Sequence, residues 1–122
     1  MKSNKSKYTV IVYALCDNKD KVFYIGCTVT DMETRFKAHI AKAKMYPETK
    51  CLKRIVKLNF EISYRILYSP DKKYKYRRTA RRIAEKHEKV EIEKCLRNKI
   101  KLYNTVHINR IKNELINQIV IN

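Results

Sequence analysis

The sequence predicts one α/β domain, because β-type runs and helical repeats of apolar residues both occur within 122 residues. Two short runs rich in Val, Ile, Tyr and Phe, Ile11–Tyr13 and Tyr24–Gly26, flank a polar cluster at residues 17–20 and are typical of a β-hairpin. Later segments repeat their apolar residues at helical spacing. A chain of this length can bury one modest core but not two.

The first half of the chain predicts two strands and two helices. The strands are expected over Tyr8–Leu15 and Val22–Thr28, and the first has two largely apolar faces, which favours a central position in the sheet. Thr30 begins the sequence Thr-Asp-Met-Glu, a capping box that predicts a helix from Asp31 to about Met45. A shorter helix is expected over Cys51–Leu58.

The second half predicts further alternation of strands and helices. Residues Phe60–Leu67 alternate apolar and polar side chains, as in a half-exposed strand. The longest helix is expected from Thr79 to about Asn98, and Ile100–Tyr103 is expected to form a short last strand. Apolar residues at helical spacing over His107–Ile119 predict a C-terminal helix packed on the domain. The chain thus divides into a basic disordered arm (1–7), a main domain (8–104) and this helix (105–122).

The charge of the chain predicts a polyanionic partner. Lys and Arg number 29 against 12 Asp and Glu, a net charge of +17, while 44% of the residues are apolar. A small domain needs a charge of only about 2–8 for solubility. An excess of this size favours nucleic acid. Membrane is the weaker interpretation, because the basic residues are scattered along the whole chain.

Neither a membrane span nor secretion is expected. The sequence has no apolar run of transmembrane length and no signal-peptide pattern at its start. Cys16, Cys27, Cys51 and Cys95 stand far apart without a Cys-x-x-Cys pair, so they fail as a zinc site. We expect reduced, partly buried thiols in an intracellular protein.

Ten residues are candidates for nucleic-acid contacts. They are Lys21, Lys72, Lys73, Tyr74, Lys75, Tyr76, Arg77, Arg78, Arg81 and Arg82. In the stretch 72–78, bases can stack on the tyrosines while the cations follow phosphates. By residue type alone, a solvated flexible loop explains this stretch equally well, and Lys21 is more typical of an ordinary hairpin lysine.

A second set of residues could cleave phosphodiesters. Attack of water on phosphorus needs a base, positive charge on the developing oxygens and a stabiliser for the leaving alkoxide. A tyrosine acts as base only if a cation or metal lowers its pKa from about 10. Arg35 can hold a phosphate bidentately, and a buried Glu88 could hold one Mg²⁺ whose remaining ligands are waters. Gly26, the only glycine, should mark a special conformation or a close approach.

The order of these residues resembles the GIY-YIG nuclease family. The resemblance rests on Tyr13 in Ile-Val-Tyr, Tyr24-Ile25-Gly26 ten residues on, Arg35 with His39 four later, Glu88 between Ala84 and Ile92, and Leu102-Tyr103-Asn104. The first motif keeps only its tyrosine. The resemblance covers Tyr8 to Asn104, nearly the whole chain.

The resemblance implies a fold, an activity and a role for each residue. The fold would be α/β, with a small central sheet of about three strands flanked by helices, and the activity DNA cleavage with one Mg²⁺ or Mn²⁺. Tyr13 would be the base, with Tyr24 beside it. Arg35 would clamp the phosphate, His39 would assist water or phosphate, and Glu88 would bind the metal. Gly26 and Asn104 would have structural roles.

Several alternatives stay open. Glu91 is the second candidate for the metal ligand, and Glu85 and Glu93 lie in the same run. Taken singly, each tyrosine could be a core residue and Arg35 a surface cation. A non-catalytic nucleic-acid-binding protein with the same fold explains the charge equally well, and cutting both strands of DNA could require a homodimer.

Overall fold

A computed structural model describes residues 7–104 and 113–114, in which three strands and three helices alternate. They are β1 (Ile11–Cys16), β2 (Val22–Thr28), α1 (Met32–Met45), α2 (Lys50–Lys57), β3 (Ser63–Tyr68) and α3 (Arg77–Arg97). The α/β class and the small three-stranded sheet predicted from the sequence are confirmed.

The sheet has the order β2-β1-β3, and both neighbours run antiparallel to β1. Every residue of β1 is buried, so the central position predicted from its two apolar faces is confirmed. The register opposes Tyr13 to Gly26, and it shifts beyond Leu15, which leaves Phe23 as the unpaired residue of a bulge in β2. Because β2 is the first strand in this order, it forms one edge of the sheet.

The two faces of β1 pack against different helices. Ile11, Tyr13 and Leu15 belong to one apolar cluster with residues of α1 and α2. The alternate residues of β1 pack towards α3, with Ile92 and Cys95 on that side. Helices thus cover both faces of the sheet, as the resemblance to the GIY-YIG family implies.

Helix α1 begins with a different cap from the predicted one. The N-cap is Asp31, whose carboxylate accepts hydrogen bonds from the backbone N and the hydroxyl of Thr34. Thr30 instead lies within hydrogen-bond distance of the Thr28 hydroxyl, and Glu33 accepts a bond from Tyr64. The predicted capping box centred on Thr30 is therefore wrong. Asp31 caps the helix instead, because its carboxylate also places negative charge at the positive N-terminal end of the helix.

The predicted strand over Phe60–Leu67 begins only at Ser63. Asn59 and Phe60 have φ angles of 57° and 62°, and the Phe60 N–H donates to the carbonyl of Ile55. This left-handed ending of α2 uses residues that the alternation assigned to the strand. Strand β1 likewise begins at Ile11, and Tyr8 forms an isolated bridge with Tyr74 instead.

Helix α3 begins at Arg77, two residues before the predicted start, and ends at Arg97. The predicted strand over Ile100–Tyr103 is wrong, since these residues have no regular secondary structure. One backbone hydrogen bond, 2.7 Å from Tyr103 N to Phe23 O, joins this segment to the sheet. The side chain of Asn104, the next residue, adds two hydrogen bonds to Ile25.

The predicted end segments lie almost entirely outside the described residues. Of the basic arm, only Lys7 is described, and its backbone N donates to Tyr74 O. Of the C-terminal helix over His107–Ile119, only residues 113 and 114 are described, and the Glu114 carboxylate lies 3.1 Å from Lys89 Nζ. Among the helices described, none combines the length and the apolar character that crossing a membrane requires.

Candidate active site

Gly26 lets two tyrosines approach the same point of the sheet. A Cβ atom at this position would lie 2.5 Å from the hydroxyl oxygen of Tyr13 and 2.8 Å from Cε2 of Tyr24. No glycine has a positive φ, so the backbone conformation is open to any residue. The only glycine of the chain is thus required by close approach and not by an unusual turn.

The Tyr13 hydroxyl is held by two partners on α1. Its oxygen lies 2.7 Å from Nε2 of His39 and 3.2 Å from Nε of Arg35. A guanidinium can only donate, so the phenol oxygen accepts from Arg35. The phenol proton is then directed at Nε2 of His39, which requires a neutral imidazole with its own proton on Nδ1.

The electrostatics of the site support this assignment. Burial, followed by the positive charge of Arg35, lowers the pKa of His39 to about 4, so its imidazole is neutral at neutral pH. Burial also raises the pKa of Tyr13 to about 12, although Arg35 acts in the opposite direction. In the protein alone, desolvation thus outweighs the charge of Arg35, and a lowered tyrosine pKa would require a further cation such as a metal ion.

Tyr24 completes the aromatic part of the site. Its ring centroid lies 5.3 Å from that of His39 in an edge-on contact and 6.4 Å from that of Tyr13. Burial, with the charges that Tyr13 and Glu88 would carry, raises the pKa of Tyr24 above its usual value. Both tyrosines are neutral phenols at physiological pH.

Glu88 approaches from α3, on the other side of β2. Its half-buried carboxylate lies against the thiol of Cys27, and burial raises its pKa, while the thiol, Arg81 and Arg35 act in the opposite direction. Within the described part of the chain, Glu88 forms no ion pair. The other three glutamates of α3 do: Glu85 with Arg81, Glu91 with Lys94 and Glu93 with Arg97.

These contacts separate Glu88 from the alternatives on the same helix. The charge of Glu88 acts on Tyr24 and Cys27, whereas Glu91 acts on the buried thiol of Cys95 and is bonded to a surface lysine. Sequence reasoning missed Cys27. Its signal was available, because a residue adjacent to Gly26 on a strand points to the opposite face from Tyr24, towards the glutamate helix.

Asn104 fixes the edge of β2 beside the tyrosines. Its side-chain oxygen accepts from Ile25 N at 3.1 Å, and its amide nitrogen donates to Ile25 O at 2.7 Å. The amide group thereby pairs with β2 as a neighbouring strand would, between Tyr24 and Gly26. This buried, doubly bonded amide fits the structural role expected for Asn104.

Of the candidate nucleic-acid contacts, Arg81 reaches the site, because its charge acts on Glu88 and Cys27. Lys21 is in the hairpin turn, where its backbone N donates to Asp17, and its described contacts do not reach the tyrosines. The stretch 72–78 is tied down by the Tyr8–Tyr74 bridge, and Tyr74 is half-buried. Tyr76 is 62% exposed and presents the ring available for stacking. The seven cations of this surface are exposed: Lys72, Lys73, Lys75, Arg77, Arg78, Arg81 and Arg82.

The donor set limits which metal the site suits. Over residues 7–104 and 113–114, no group of three or more His, Cys, Asp or Glu side chains is arranged to hold a metal ion. A single carboxylate fits Mg²⁺ or Mn²⁺, hard ions that keep most of their waters, and does not fit a structural zinc site. All four cysteines are free, as the sequence predicts.

The fold and the site together define a small α/β domain in which two tyrosines, an arginine and a histidine cluster on the α1 side of β2, while a carboxylate approaches β2 from α3. A family model for the GIY-YIG catalytic domain matches residues 9–95, more than half of the chain. The chain therefore belongs to the GIY-YIG family, and its domain has a nuclease fold. No curated protein and no solved structure gives a match.

Proposed function

We propose that this protein is a DNA endonuclease that hydrolyses phosphodiester bonds with one divalent metal ion, Mg²⁺ or Mn²⁺, per site. The observation that carries the proposal is the Tyr13 hydroxyl, which is hydrogen-bonded to both His39 and Arg35 at an edge approached by Glu88. Both partners are groups that can take part in catalysis, since one is a neutral imidazole and the other a cation. The net charge of +17 supplies the attraction to DNA.

Tyr13 and His39 provide a path for the proton of the attacking water. The Tyr13 phenol donates to neutral His39, so its oxygen can accept a proton from water while its own proton moves to Nε2. Tyr13 remains the group that contacts the water, and His39 becomes the final acceptor. This relay needs no free phenolate, which the raised pKa of Tyr13 makes scarce at neutral pH.

Arg35 links the proton path to the phosphate. Its guanidinium is engaged by Tyr13 through Nε and also interacts with the Tyr24 hydroxyl, which orients the planar group so that its remaining N–H donors can bind oxygens of the scissile phosphate. A cation at this point stabilises the negative charge that develops on those oxygens. It also contributes to keeping His39 neutral.

Glu88 is the proposed metal ligand. A half-buried carboxylate without an ion pair in the described part of the chain gains more from a bound cation than its neighbours Glu85 and Glu91, which already have basic partners. When bound, the metal would supply Lewis-acid charge to the phosphate and the leaving oxygen.

The test is cleavage of supercoiled plasmid with Mg²⁺ by the wild type, Glu88→Gln and the matched control Glu91→Gln. We expect wild-type cutting, loss of cutting in Glu88→Gln, and retention in Glu91→Gln. Retention by Glu88→Gln with loss in Glu91→Gln would transfer the ligand role to Glu91. A wild type that binds the plasmid but never cuts it would favour the non-catalytic DNA-binding protein.

The products of the same reaction report on stoichiometry. One site per molecule predicts nicked circles as the first product, because each strand needs its own cleavage. Linear plasmid without a nicked intermediate would indicate that a homodimer cuts both strands together. Varying the protein concentration separates these two outcomes.

A further inference from the structure

A groove between α2 and residues 99–104 is strongly basic. Its described lining includes six cationic residues and no acidic one. The six are Lys50, Lys53, Arg54, Lys57, Lys99 and Lys101. None of them belongs to the nucleic-acid contacts predicted from the sequence, because the fold brings two distant segments together.

The floor of the groove contains a hydrogen-bond donor without an acceptor. The Nε atom of Arg54 is buried and has no partner among the described residues. The guanidinium lies 5.2 Å above the ring of Tyr103, and Lys101 Nζ lies at the same distance from that ring. The carboxylate of Asp17, whose charge acts on Arg54, already accepts from the backbone N–H groups of Lys19 and Lys21. A buried donor without an acceptor is unfavourable, so this atom favours an anionic acceptor that enters the groove.

The groove and the basic stretch 72–82 lie at opposite ends of β2. At the groove end, Tyr103 bonds to Phe23. At the other end, Ala80 packs with Val29 in one apolar cluster. Six residues of antiparallel strand, at a rise of roughly 3.4 Å each, span about 20 Å, and Tyr24 lies between the ends.

This spacing matches a nucleic-acid backbone. Phosphates follow one another along one strand of DNA at about 3.4 Å of helix axis, so about 20 Å corresponds to roughly six nucleotides. A small anion would need convergent cations, whereas those of the groove are spread along two segments of chain. A backbone that crosses the tyrosine site would meet cations at both ends of β2.

We propose that the groove binds the phosphate backbone of DNA on one side of the cleaved bond, while the stretch 72–82 binds it on the other. The position of the cleaved bond rests on the proposed function. The claim that the groove contacts DNA does not, because binding can be measured without cleavage. The groove is then a second phosphate track, anchored by Arg54.

The experiment measures binding of the full chain to a fluorescent 20-base-pair duplex in EDTA, across a range of salt concentrations. The groove variant is Lys53→Gln, Lys57→Gln and Lys99→Gln combined. Its matched control combines three changes that remove the same charge outside both basic surfaces: Lys37→Gln, Lys44→Gln and Lys86→Gln. All six lysines are exposed, so both variants should fold.

Each lost phosphate contact lowers the slope of log K against log salt by about 0.9. We therefore expect a loss of about 2.7 in the groove variant and less than about 1 in the control. Equal slopes in the two variants would overturn the proposal, because the lysines would then act only through net charge. Arg54→Lys is the second test, since it keeps the charge and removes Nε. We expect about tenfold weaker binding, and unchanged binding would remove Arg54 as the anchor.

The outcomes separate this proposal from the nuclease proposal. A protein that cuts plasmid while both variants share one slope is a nuclease whose groove does not contact DNA. A protein that never cuts, but loses slope only in the groove variant, is a DNA-binding protein that uses the groove.

Discussion

The functional groups on the two sides of β2 differ in how well the protein itself provides them with partners. On the α1 side, the Tyr13 hydroxyl is buried and bonded to His39 and Arg35 within 3.2 Å. On the α3 side, Glu88 is half-buried, contacts a thiol and forms no ion pair with the described residues. On the α1 side, the protein itself supplies the hydrogen-bond partners of the functional groups. On the α3 side, the described residues supply no ion pair to offset the burial of the Glu88 carboxylate.

This difference separates two requirements of phosphodiester hydrolysis. Proton transfer depends on distances that packing can fix in advance, and the Tyr13–His39 bond is already short. Neutralising phosphate charge needs a cation, which Glu88 is placed to bind. Substitutions on the α1 side should therefore lower the cleavage rate. Substitutions of Glu88 on the α3 side should also show how much the buried carboxylate lowers the stability of the fold.

Tyr13→Phe is expected to give the largest effect on the α1 side. The ring packing remains and only the oxygen between Arg35 and His39 is lost, so cleavage should fall about a hundredfold or more. The free energy of unfolding should fall by only about 1 kcal/mol, for one hydrogen bond. Plasmid cleavage rates and chemical denaturation measure the two quantities.

The control is Tyr68→Phe, on the α3 side of the molecule, where the ring stacks on His87 at 3.9 Å. It should leave cleavage unchanged. A folded Tyr13→Phe protein that cuts like the wild type would remove Tyr13 from the mechanism and leave His39 and Tyr24 as candidates.

The titration of His39 provides the second prediction. Its pKa is about 4 in the fold against 6.5 as the ordinary value, so the neutral form is favoured by folding. Its contribution to stability is complete above pH 6.5 and is lost as the pH falls through about 4. A shift of this size corresponds to on the order of 3 kcal/mol. His39→Gln should lack this part of the acid destabilisation, measured as unfolding free energy at pH 7 and pH 4.

The rate reports the same titration. If His39 is the final proton acceptor, the cleavage rate should be nearly constant from pH 6 to 9, because His39 stays neutral throughout. A phenolate base would instead make the rate climb steadily towards the Tyr13 pKa of about 12. A steady climb would therefore exclude the relay and leave Tyr13 as the sole base.

The sequence predicted the fold class and the central strand better than it predicted the ends of the elements. Local patterns such as the alternation in β1 and the stripe around Glu88 depend on periodicity, which a sequence displays directly. The end of α2 did not follow the pattern, because Asn59 and Phe60 turn into the left-handed region that apolar alternation cannot reveal. The N-cap of α1 was also misplaced by one residue. Thr30 and Asp31 are both residue types that cap helices, and the sequence pattern does not show which of the two does so.

Other features depend on tertiary structure and had no local signal. The pKa of Tyr13 rises because of burial, and burial depends on elements that pack from elsewhere in the chain. The basic groove joins α2 to residues 99–104, which are more than 40 positions apart in sequence. The net charge predicted a polyanionic partner, but only the fold shows that these six cations line one groove.

Gly26→Ala tests the close approach between the strands. A methyl group would lie 2.5 Å from the Tyr13 oxygen and 2.8 Å from Tyr24, so both rings must move. We expect about 1–3 kcal/mol of destabilisation, typical of overpacking, and a lower cleavage rate because the bond to His39 lengthens. An alanine variant with wild-type stability and rate would show that the rings adapt freely.

On the stability of the fold, Glu88→Gln should give the smallest effect, and with the opposite sign. Burial raises the pKa of Glu88 in the fold, so its contribution to stability is present below the ordinary pKa of 4.5 and is lost as the pH rises through the folded value. At pH 7 the acidic group at position 88 therefore destabilises the metal-free protein relative to a neutral one, and the amide of glutamine should raise its melting temperature slightly. Added Mg²⁺ should raise the melting temperature of the wild type and not that of Glu88→Gln, because only the carboxylate binds the ion. Glu91→Gln is the control, since Glu91 already has Lys94 as its partner, and its response to Mg²⁺ should match the wild type. If Glu88→Gln melts lower than the wild type without metal, the carboxylate is compensated within the fold, and the contrast between the two sides of β2 fails.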